Sequence, residues 1–172
     1  KFICFSLTLS LVYCFFNIQT YALSAKSAIV VEASTGIVVY EHNADEILPE
    51  ASTTKIMTAL IALENCPNDY YFIVSDAAAN VEGSQIGLLS GDKVKLSDLL
   101  FMLMLRSGND AAHTIAEGVG GSVEKFVEMM NRKAISLGCT STHFSNPHGL
   151  PDNEHFTTAR DLAIISADAY RN

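Results

Sequence analysis

The sequence has 172 residues, of which 49% are hydrophobic and 17% are charged, and its formal net charge is -8. This length can enclose one domain with a sizeable core, and the hydrophobic content excludes an intrinsically disordered chain. The basic residues form no run and no stripe, so we expect no nucleic-acid partner.

The N-terminal segment has the composition of a secretory signal peptide. Lys1 is followed by a nearly uncharged apolar stretch over residues 2–16, and small residues lead up to Ala25. A retained transmembrane anchor is the alternative, but the stretch is shorter than the roughly 20 apolar residues that usually span a bilayer. We therefore predict a signal peptide over 1–25, export of the mature protein, and one domain over 26–172.

Two cysteines, Cys66 and Cys139, lie in the predicted mature part. In an exported protein they can form a disulfide, but geometry decides this and the sequence leaves it open. No group of Cys and His residues has zinc spacing, and the five His are scattered along the chain. We therefore expect no metal site.

In chain order, the first predicted elements are a β-hairpin and a buried helix. Residues 28–33 and 37–41 are rich in β-branched side chains, and Ser34-Thr35-Gly36 between them has the composition of a turn. From Ser52 to about Leu63 the chain is apolar almost all round beyond its first turn, which is typical of a helix buried on most sides.

The rest of the chain is predicted to be mainly helical. The expected elements are short strands over 70–96, helices over 97–105, 110–117 and 123–137, and a last helix that begins at the capping box Thr158-Ala-Arg-Asp161. Ser97 is the expected N-cap of its helix, Gly118-Val119-Gly120-Gly121 stops the next helix, and Gly138 ends the one after that. A hairpin followed by helices predicts an α/β (α+β) fold. Either residues missing from this sequence complete the sheet, or the helices cover the hairpin alone.

The first candidate for chemistry is Ser52-x-x-Lys55, at the start of the buried helix. A separation of three residues places both side chains on one helix face. A serine hydroxyl needs a base to take its proton, and a Lys in a dry site can have its pKa lowered enough to be that base. The positive potential of the helix N-terminus also favours the neutral Lys.

The spacing alone is weak evidence, because the sequence has three Ser-x-x-Lys pairs: Ser52/Lys55, Ser90/Lys93 and Ser122/Lys125. Only the first pair begins a helix that is apolar all round, where a buried Lys is costly unless it has a partner or a function. An ordinary N-cap role for Ser52 is the alternative.

The second candidate is Ser107-Gly108-Asn109, between two predicted helices. All three are turn residues, so an inter-helix turn without chemistry is the alternative. The functional interpretation supplies a hydroxyl that can relay a proton to a leaving amine and an amide that can hold a substrate carbonyl.

Together, the two motifs resemble the Ser-x-x-Lys and Ser-x-Asn signatures of penicillin-binding proteins and serine β-lactamases. Longer segments resemble the low-molecular-mass D-alanyl-D-alanine carboxypeptidases, the serine peptidase family of penicillin-binding protein 5. These segments are Pro49–Thr58, Val81–Ser84, Leu105–Ala112, Thr142–Phe144, His148–Leu150 and Thr158–Asp161. They follow the family's order over nearly all of residues 26–172.

The resemblance implies a β-lactamase/transpeptidase-like fold and a serine D-Ala-D-Ala carboxypeptidase. Ser52 is then the nucleophile that the terminal D-Ala-D-Ala bond of the peptidoglycan stem peptide acylates, and Lys55 is its base. Ser107 passes the proton to the leaving D-Ala, and Asn109 orients Lys55 and the substrate. The family also implies acylation by β-lactams and no metal or cofactor.

The resemblance further implies a location in the periplasm or at the outer face of the bacterial cytoplasmic membrane. Inner-membrane association is expected through a C-terminal anchor beyond this sequence. The sequence departs from the family because it has no Lys-Thr-Gly, nor any Lys followed by Thr or Ser and then Gly. In the family that motif binds the substrate carboxylate, and its strand gives the second oxyanion N–H. We therefore expect an incomplete N-terminal part, inactive by itself, of an active protein.

Three other functions remain open. A serine β-lactamase of class A needs a Glu that activates the deacylating water, where residues 144–154 offer His148-Gly149-Leu150 instead. A penicillin-binding D,D-endopeptidase that cuts cross-links has the same motifs. The non-enzymatic alternative is an exported binding or structural protein whose serines only cap helices.

Overall fold

The computed structural model describes residues 23–171, so the signal peptide predicted over 1–25 lies almost wholly outside the described residues. The strands are β1 (Ala28–Val31), β2 (Val38–His42), β3 (Tyr71–Ile73) and β4 (Lys93–Lys95). The helices are α1 (Thr54–Asn65), α2 (Asp76–Ala79), α3 (Leu96–Arg106), α4 (Asn109–Gly120), α5 (Val123–Ser136) and α6 (Ala159–Arg171), and a 3-10 turn at Ala51–Thr53 leads into α1. None of these described helices is long and apolar enough to cross a lipid bilayer.

Strands β1 and β2 form the antiparallel hairpin that the sequence predicts, with Ala28 opposite His42. Glu32 orders the turn, because its carboxylate accepts hydrogen bonds from the backbone N–H and the hydroxyl of both Ser34 and Thr35. These hydrogen bonds lower the pKa of Glu32 to about 2, and the hydrogen bond from the Thr35 hydroxyl contributes most. Strands β3 and β4 form a second, separate antiparallel pair.

The core lies among helices α1, α3, α4 and α5. Helix α1 is largely buried, as its apolar sequence predicts, and Leu60 and Ile61 are among its buried side chains. Helix α4 packs against it and buries Ala111 and Ala112, whose small side chains let two helices approach closely. This packing brings the N-terminal ends of α1 and α4 together.

The predicted N-cap role of Ser97 is wrong. Helix α3 begins one residue earlier, at Leu96, with Lys95 in the N-cap position. Strand β4 ends at Lys95 and therefore runs directly into the helix without a capping residue between them. The Ser97 N–H instead donates to the Asn68 carbonyl, 3.0 Å away.

The helix predicted over 110–117 is longer than expected and spans Asn109–Gly120. The stop predicted over 118–121 is confirmed only at its last two residues, because the helical backbone continues through Gly118 to Gly120. A Cβ at Gly118 would overlap the ring of Phe72 on β3, so packing and not a helix stop explains this glycine. The chain leaves the helix at Gly121, which has the left-handed φ of 76°.

Other helix starts and ends that the sequence predicted are confirmed. Ser122 Oγ accepts a hydrogen bond from the N–H three residues later at the start of α5, and Gly138, with a φ of 88°, follows its end. Thr158 Oγ1 accepts from the Asp161 N–H, 3.1 Å away, at the start of α6. The Asp161 carboxylate does not complete the capping box, because it accepts hydrogen bonds from residues 141 and 142.

Cys66 and Cys139 are free thiols, so the disulfide that the sequence left open is not formed. Cys139 is buried, and its Sγ lies 3.7 Å from the Asp161 carbonyl oxygen. Burial raises the pKa of the Cys139 thiol to about 12, which keeps it protonated near neutral pH.

Candidate active site

Ser52 and Lys55 lie together at the entrance to helix α1. Ser52 is the middle residue of the 3-10 turn and is exposed, whereas Lys55 lies in the first turn of α1 and is only 2% exposed. Lys55 Nζ is 3.4 Å from Ser52 Oγ. The structure therefore places an accessible hydroxyl beside a buried amine, as the Ser-x-x-Lys spacing predicts.

The other two partners of Lys55 come from distant parts of the chain. Its Nζ donates to Asn109 Oδ1 at 2.8 Å and to the backbone carbonyl of His148 at 2.7 Å. Both partners are carbonyl oxygens that only accept hydrogen bonds. A neutral Lys55 can therefore give its two hydrogens to these oxygens and direct its lone pair at the Ser52 hydroxyl, the one partner that can donate a proton.

The electrostatic environment favours this neutral form. Burial lowers the pKa of Lys55 to about 8, because the ammonium ion loses hydration inside the protein. A useful fraction of the amine is therefore unprotonated near neutral pH, which is what a general base requires.

Neighbouring backbone fixes the orientation of the Asn109 amide. Asn109 Nδ2 donates to the Glu82 carbonyl at 2.6 Å, so its Oδ1 faces Lys55. The Asn109 backbone N–H donates to the Ser84 carbonyl at 2.7 Å. Between these two carbonyls, Gly83 has a φ of 86°, and a Cβ there would come 2.6 Å from Asn109 Nδ2. The segment around Gly83 thus clamps Asn109 and needs a glycine to do so.

Asp110 is a structural residue of the site that the sequence analysis missed. Its buried Oδ2 accepts hydrogen bonds from three successive backbone N–H groups, of Ile86, Gly87 and Leu88, at 2.9, 2.9 and 3.1 Å. The carboxylate therefore anchors the loop that continues from the Asn109 clamp. The Asn-Asp pair at a predicted helix start was the available signal, since carboxylates favour helix N-termini.

Ser107 lies at the end of α3, two residues before Asn109, and adopts the left-handed φ of 57°. It is half-buried, and among residues 23–171 the hydrogen-bond partners of Lys55 do not include its hydroxyl. Its role as a proton shuttle stays a prediction. Packing requires a glycine at position 108, because a Cβ there would come 2.6 Å from Ile86 Cγ1.

The loop around His148 lies against the turn that carries Ser52 and supplies a second carbonyl partner for Lys55. Thr58 Oγ1 on α1 donates to the Pro147 carbonyl at 2.6 Å, which brings the loop onto the helix. Gly149 has a φ of 88°, and a Cβ there would overlap the Ala51 carbonyl. Burial lowers the pKa of His148 to about 4, so its ring is neutral while its carbonyl binds Lys55. Nothing in the sequence indicated that this segment binds Lys55, since a backbone carbonyl carries no residue-specific signal.

No group of three or more His, Cys, Asp or Glu side chains in the described part of the chain is arranged to hold a metal ion. The site instead consists of a hydroxyl, an amine, an amide and backbone carbonyls. Such a set can perform nucleophilic acyl transfer, in which an amine activates a serine.

Comparison with known proteins assigns the family. The family model of the D-alanyl-D-alanine carboxypeptidases matches residues 16–172. The chain belongs to this family. The family that the sequence motifs indicated is thereby confirmed.

Individual members are similar over most of this chain. D-alanyl-D-alanine carboxypeptidase DacF of Bacillus subtilis is 40% identical over 152 residues, which are 86% of this chain and 39% of DacF. A D-alanyl-D-alanine endopeptidase of Pseudomonas aeruginosa is 34% identical over 83% of this chain and 46% of that protein. The chain thus spans less than half the length of these two relatives.

A solved structure establishes the fold. The crystal structure of the D-alanyl-D-alanine carboxypeptidase DacD from Francisella tularensis matches with a TM-score of 0.84 and 37% identity, over 87% of this chain and 38% of that one. The expected β-lactamase/transpeptidase-like fold is therefore confirmed.

Gly149→Ala tests the contact between the His148 loop and the 3-10 turn Ala51–Thr53, which carries Ser52. Gly138→Ala is a matched control, because Gly138 has the same φ of 88° but open space around its Cβ position. We expect Gly138→Ala to cost about 1 kcal/mol of unfolding free energy, from backbone strain alone. Gly149→Ala should cost about 3 kcal/mol or more, because overlap with the Ala51 carbonyl adds to that strain. Denaturant unfolding of both variants measures the difference, and equal costs would contradict the contact.

Proposed function

We propose that the whole protein is an exported serine-type D-Ala-D-Ala carboxypeptidase that removes the terminal D-alanine from peptidoglycan stem pentapeptides in cell-wall remodelling. The observation that carries this proposal is the set of contacts at Lys55 Nζ, with Ser52 Oγ, Asn109 Oδ1 and the His148 carbonyl as partners. Family membership supports it independently.

The proposed reaction begins with proton transfer from Ser52 Oγ to the neutral Lys55 amine. The oxygen then attacks the carbonyl carbon of the penultimate D-Ala, and the negative charge on the former carbonyl oxygen is stabilised by the Ser52 N–H. The proton passes from Lys55, through Ser107, to the nitrogen of the departing D-Ala as the peptide bond breaks. Water then hydrolyses the ester on Ser52 and restores the free enzyme.

The same site defines the proposed partners. The substrate is a stem peptide ending in D-Ala-D-Ala, and β-lactams act as inhibitors that acylate Ser52 through their ring carbonyl. Such a substrate implies action in the periplasm or at the outer face of the bacterial cytoplasmic membrane. The apolar segment over residues 2–16 supports export.

A D,D-endopeptidase that cuts peptide cross-links is the second candidate. The observation in its favour is the Pseudomonas aeruginosa endopeptidase that is 34% identical to this chain. The chemistry at Ser52 and Lys55 is the same in both cases, and the two functions differ in the leaving group that the site accepts. Release of D-Ala from a pentapeptide supports the carboxypeptidase, and cleavage of a cross-linked dimer without that release supports the endopeptidase.

Labelling of the full-length protein with a fluorescent penicillin tests the assignment of the nucleophile. We expect one covalent adduct, located on Ser52 by mass spectrometry, and its complete loss in Ser52→Ala. Ser90→Ala and Ser122→Ala are matched controls, since each removes the serine of another Ser-x-x-Lys pair, and both should keep the adduct. An adduct on another serine, or none on the wild-type protein, would refute the proposed function.

The pH dependence of acylation tests Lys55 as the base. Because only the neutral amine accepts a proton and its pKa is about 8, the acylation rate constant should rise with pH and level off above that value. Below about pH 7 the rise should approach tenfold per pH unit. Lys55→Arg should abolish acylation, because a guanidinium stays protonated. Stopped-flow acylation between pH 5.5 and 9.5 measures the profile, and a flat profile would exclude this role.

A further inference from the structure

A second buried polar cluster lies beside the nucleophile turn, the 3-10 turn Ala51–Thr53 that carries Ser52. It consists of Glu50, Thr54 and His155, which are 5%, 0% and 3% exposed. These residues flank Ser52 in sequence or in space, but the steps of the proposed reaction do not use them. Buried polar groups are costly unless they are paired, so their positions need an explanation.

The hydrogen bonds define the tautomer of His155. Its Nδ1 accepts a hydrogen bond from the Ser145 backbone N–H at 2.9 Å, so in the neutral ring Nε2 carries the hydrogen. His155 Nε2 lies 2.7 Å from Thr54 Oγ1. The Thr54 hydroxyl gives its own hydrogen to the Ala51 carbonyl, 2.7 Å away, and is therefore free to accept the hydrogen of Nε2. The result is a directional chain from Ser145 N–H through His155 and Thr54 to Ala51 O.

Glu50 completes the surroundings of His155 Nε2, since its Oε1 lies 3.2 Å from that atom. Burial raises the pKa of Glu50 to about 8 and lowers that of His155 to about 4, so near neutral pH the pair is a neutral contact and not an ion pair. A neutral ring keeps one donor and one acceptor nitrogen. That is the form that the chain from Ser145 to Ala51 requires.

The end of this chain, the Ala51 carbonyl, belongs to the peptide group that also contains the Ser52 N–H. In a planar trans peptide the C=O and N–H point in opposite directions, so fixing one fixes the other. Ala51 has a φ of 47°, a conformation that costs a residue with a side chain about 1–2 kcal/mol. The surrounding contacts must hold this strained turn in place.

We propose that Thr54 and His155 are positioning residues that orient the Ala51–Ser52 peptide group, and through it the Ser52 N–H, toward the oxyanion of the acylation step. This inference rests on the proposed function of Ser52. Glu50 contributes a neighbouring carboxyl group, with Oε1 3.2 Å from His155 Nε2, but neither of its oxygens has a hydrogen-bond partner among the described residues.

A second hydrolytic site is the alternative interpretation of the cluster. Ser145 lies near one ring nitrogen of His155 and Glu50 near the other, which are the side chains of a Ser-His-acid triad. The Ser145 hydroxyl is 3.3 Å from His155 Nδ1, but the Ser145 backbone N–H occupies that nitrogen at 2.9 Å. His155 is also buried, so a substrate has no access to it. The cluster therefore supports a positioning role and not catalysis of its own.

The central test compares Thr54→Val with Thr54→Ser in the full-length protein. Val keeps the shape of Thr but removes the hydroxyl, whereas Ser keeps the hydroxyl. We expect Thr54→Val to lower the acylation rate constant with a fluorescent penicillin about 10- to 100-fold, since one oxyanion donor is misdirected. The dissociation constant of the non-covalent complex should change less than about threefold, and Thr54→Ser should restore the rate. Each rate is divided by the fraction of protein whose Ser52 can be acylated, and the final extent of labelling measures that fraction.

Thr114→Val is the matched control, because Thr114 is also buried and its hydroxyl donates to a backbone carbonyl, that of Asp110, at 2.8 Å. It should lower the melting temperature about as much as Thr54→Val and leave the acylation rate constant unchanged. Equal rate constants in Thr54→Val and the wild type would overturn the positioning role. Failure of the wild type to be acylated on Ser52 would instead refute the proposed function, so the two failures are distinguishable.

Two substitutions of His155 test the roles of its two ring nitrogens separately. The amide nitrogen of Gln can replace Nε2 as the donor to Thr54, and the amide oxygen of Asn can replace Nδ1 as the acceptor from Ser145. If the contact with Thr54 orients the peptide group, His155→Gln should acylate at least about fivefold faster than His155→Asn, when rates are expressed per acylatable Ser52. Equal rates in the two variants, or a faster rate in His155→Asn, would contradict the inference.

Discussion

The burial of the Lys55 amine is the constraint on which the rest of the site depends. An amine that is 2% exposed needs partners, and it finds them in an amide at the start of α4 and a carbonyl in the loop after α5. Three segments must therefore meet at one nitrogen atom. The same burial that creates this requirement lowers the pKa of Lys55, so the need for structure and the capacity for base catalysis have one physical cause.

Close approach of glycine backbone to neighbouring polar groups makes this meeting possible. Gly83 lies against the Asn109 amide and Gly149 against the Ala51 carbonyl, and at both positions a Cβ would collide with the neighbour. The carboxylate of Asp110 adds a third constraint by holding the loop that follows Gly83. Rigid supports of this kind matter because catalytic groups must be held within about 0.5 Å of the productive geometry.

Two separate sets of contacts at the nucleophile turn have different functions. Lys55 contacts the Ser52 hydroxyl and can accept its proton. Thr54 and His155 hold the peptide group that carries the Ser52 N–H. Proton transfer and oxyanion stabilisation can therefore be changed independently. This separation lets substitutions at Thr54 test one function while Lys55 still performs the other.

Features that depend on neighbours in the chain could be predicted from the sequence: the β-hairpin, the buried helix that begins beside Ser52, and the cap at Ser122. The sequence misled where a distant contact determines a residue, as at Gly118, which packs on Phe72 inside the helix although it was expected to begin the helix stop. The sequence by itself determined that the Ser52 and Lys55 side chains lie close together at the start of α1, because they are three positions apart. Only the tertiary structure decided which partners they have, because Asn109, the His148 carbonyl and His155 are 54, 93 and 101 residues away from the groups they bind, and packing alone brings such atoms together.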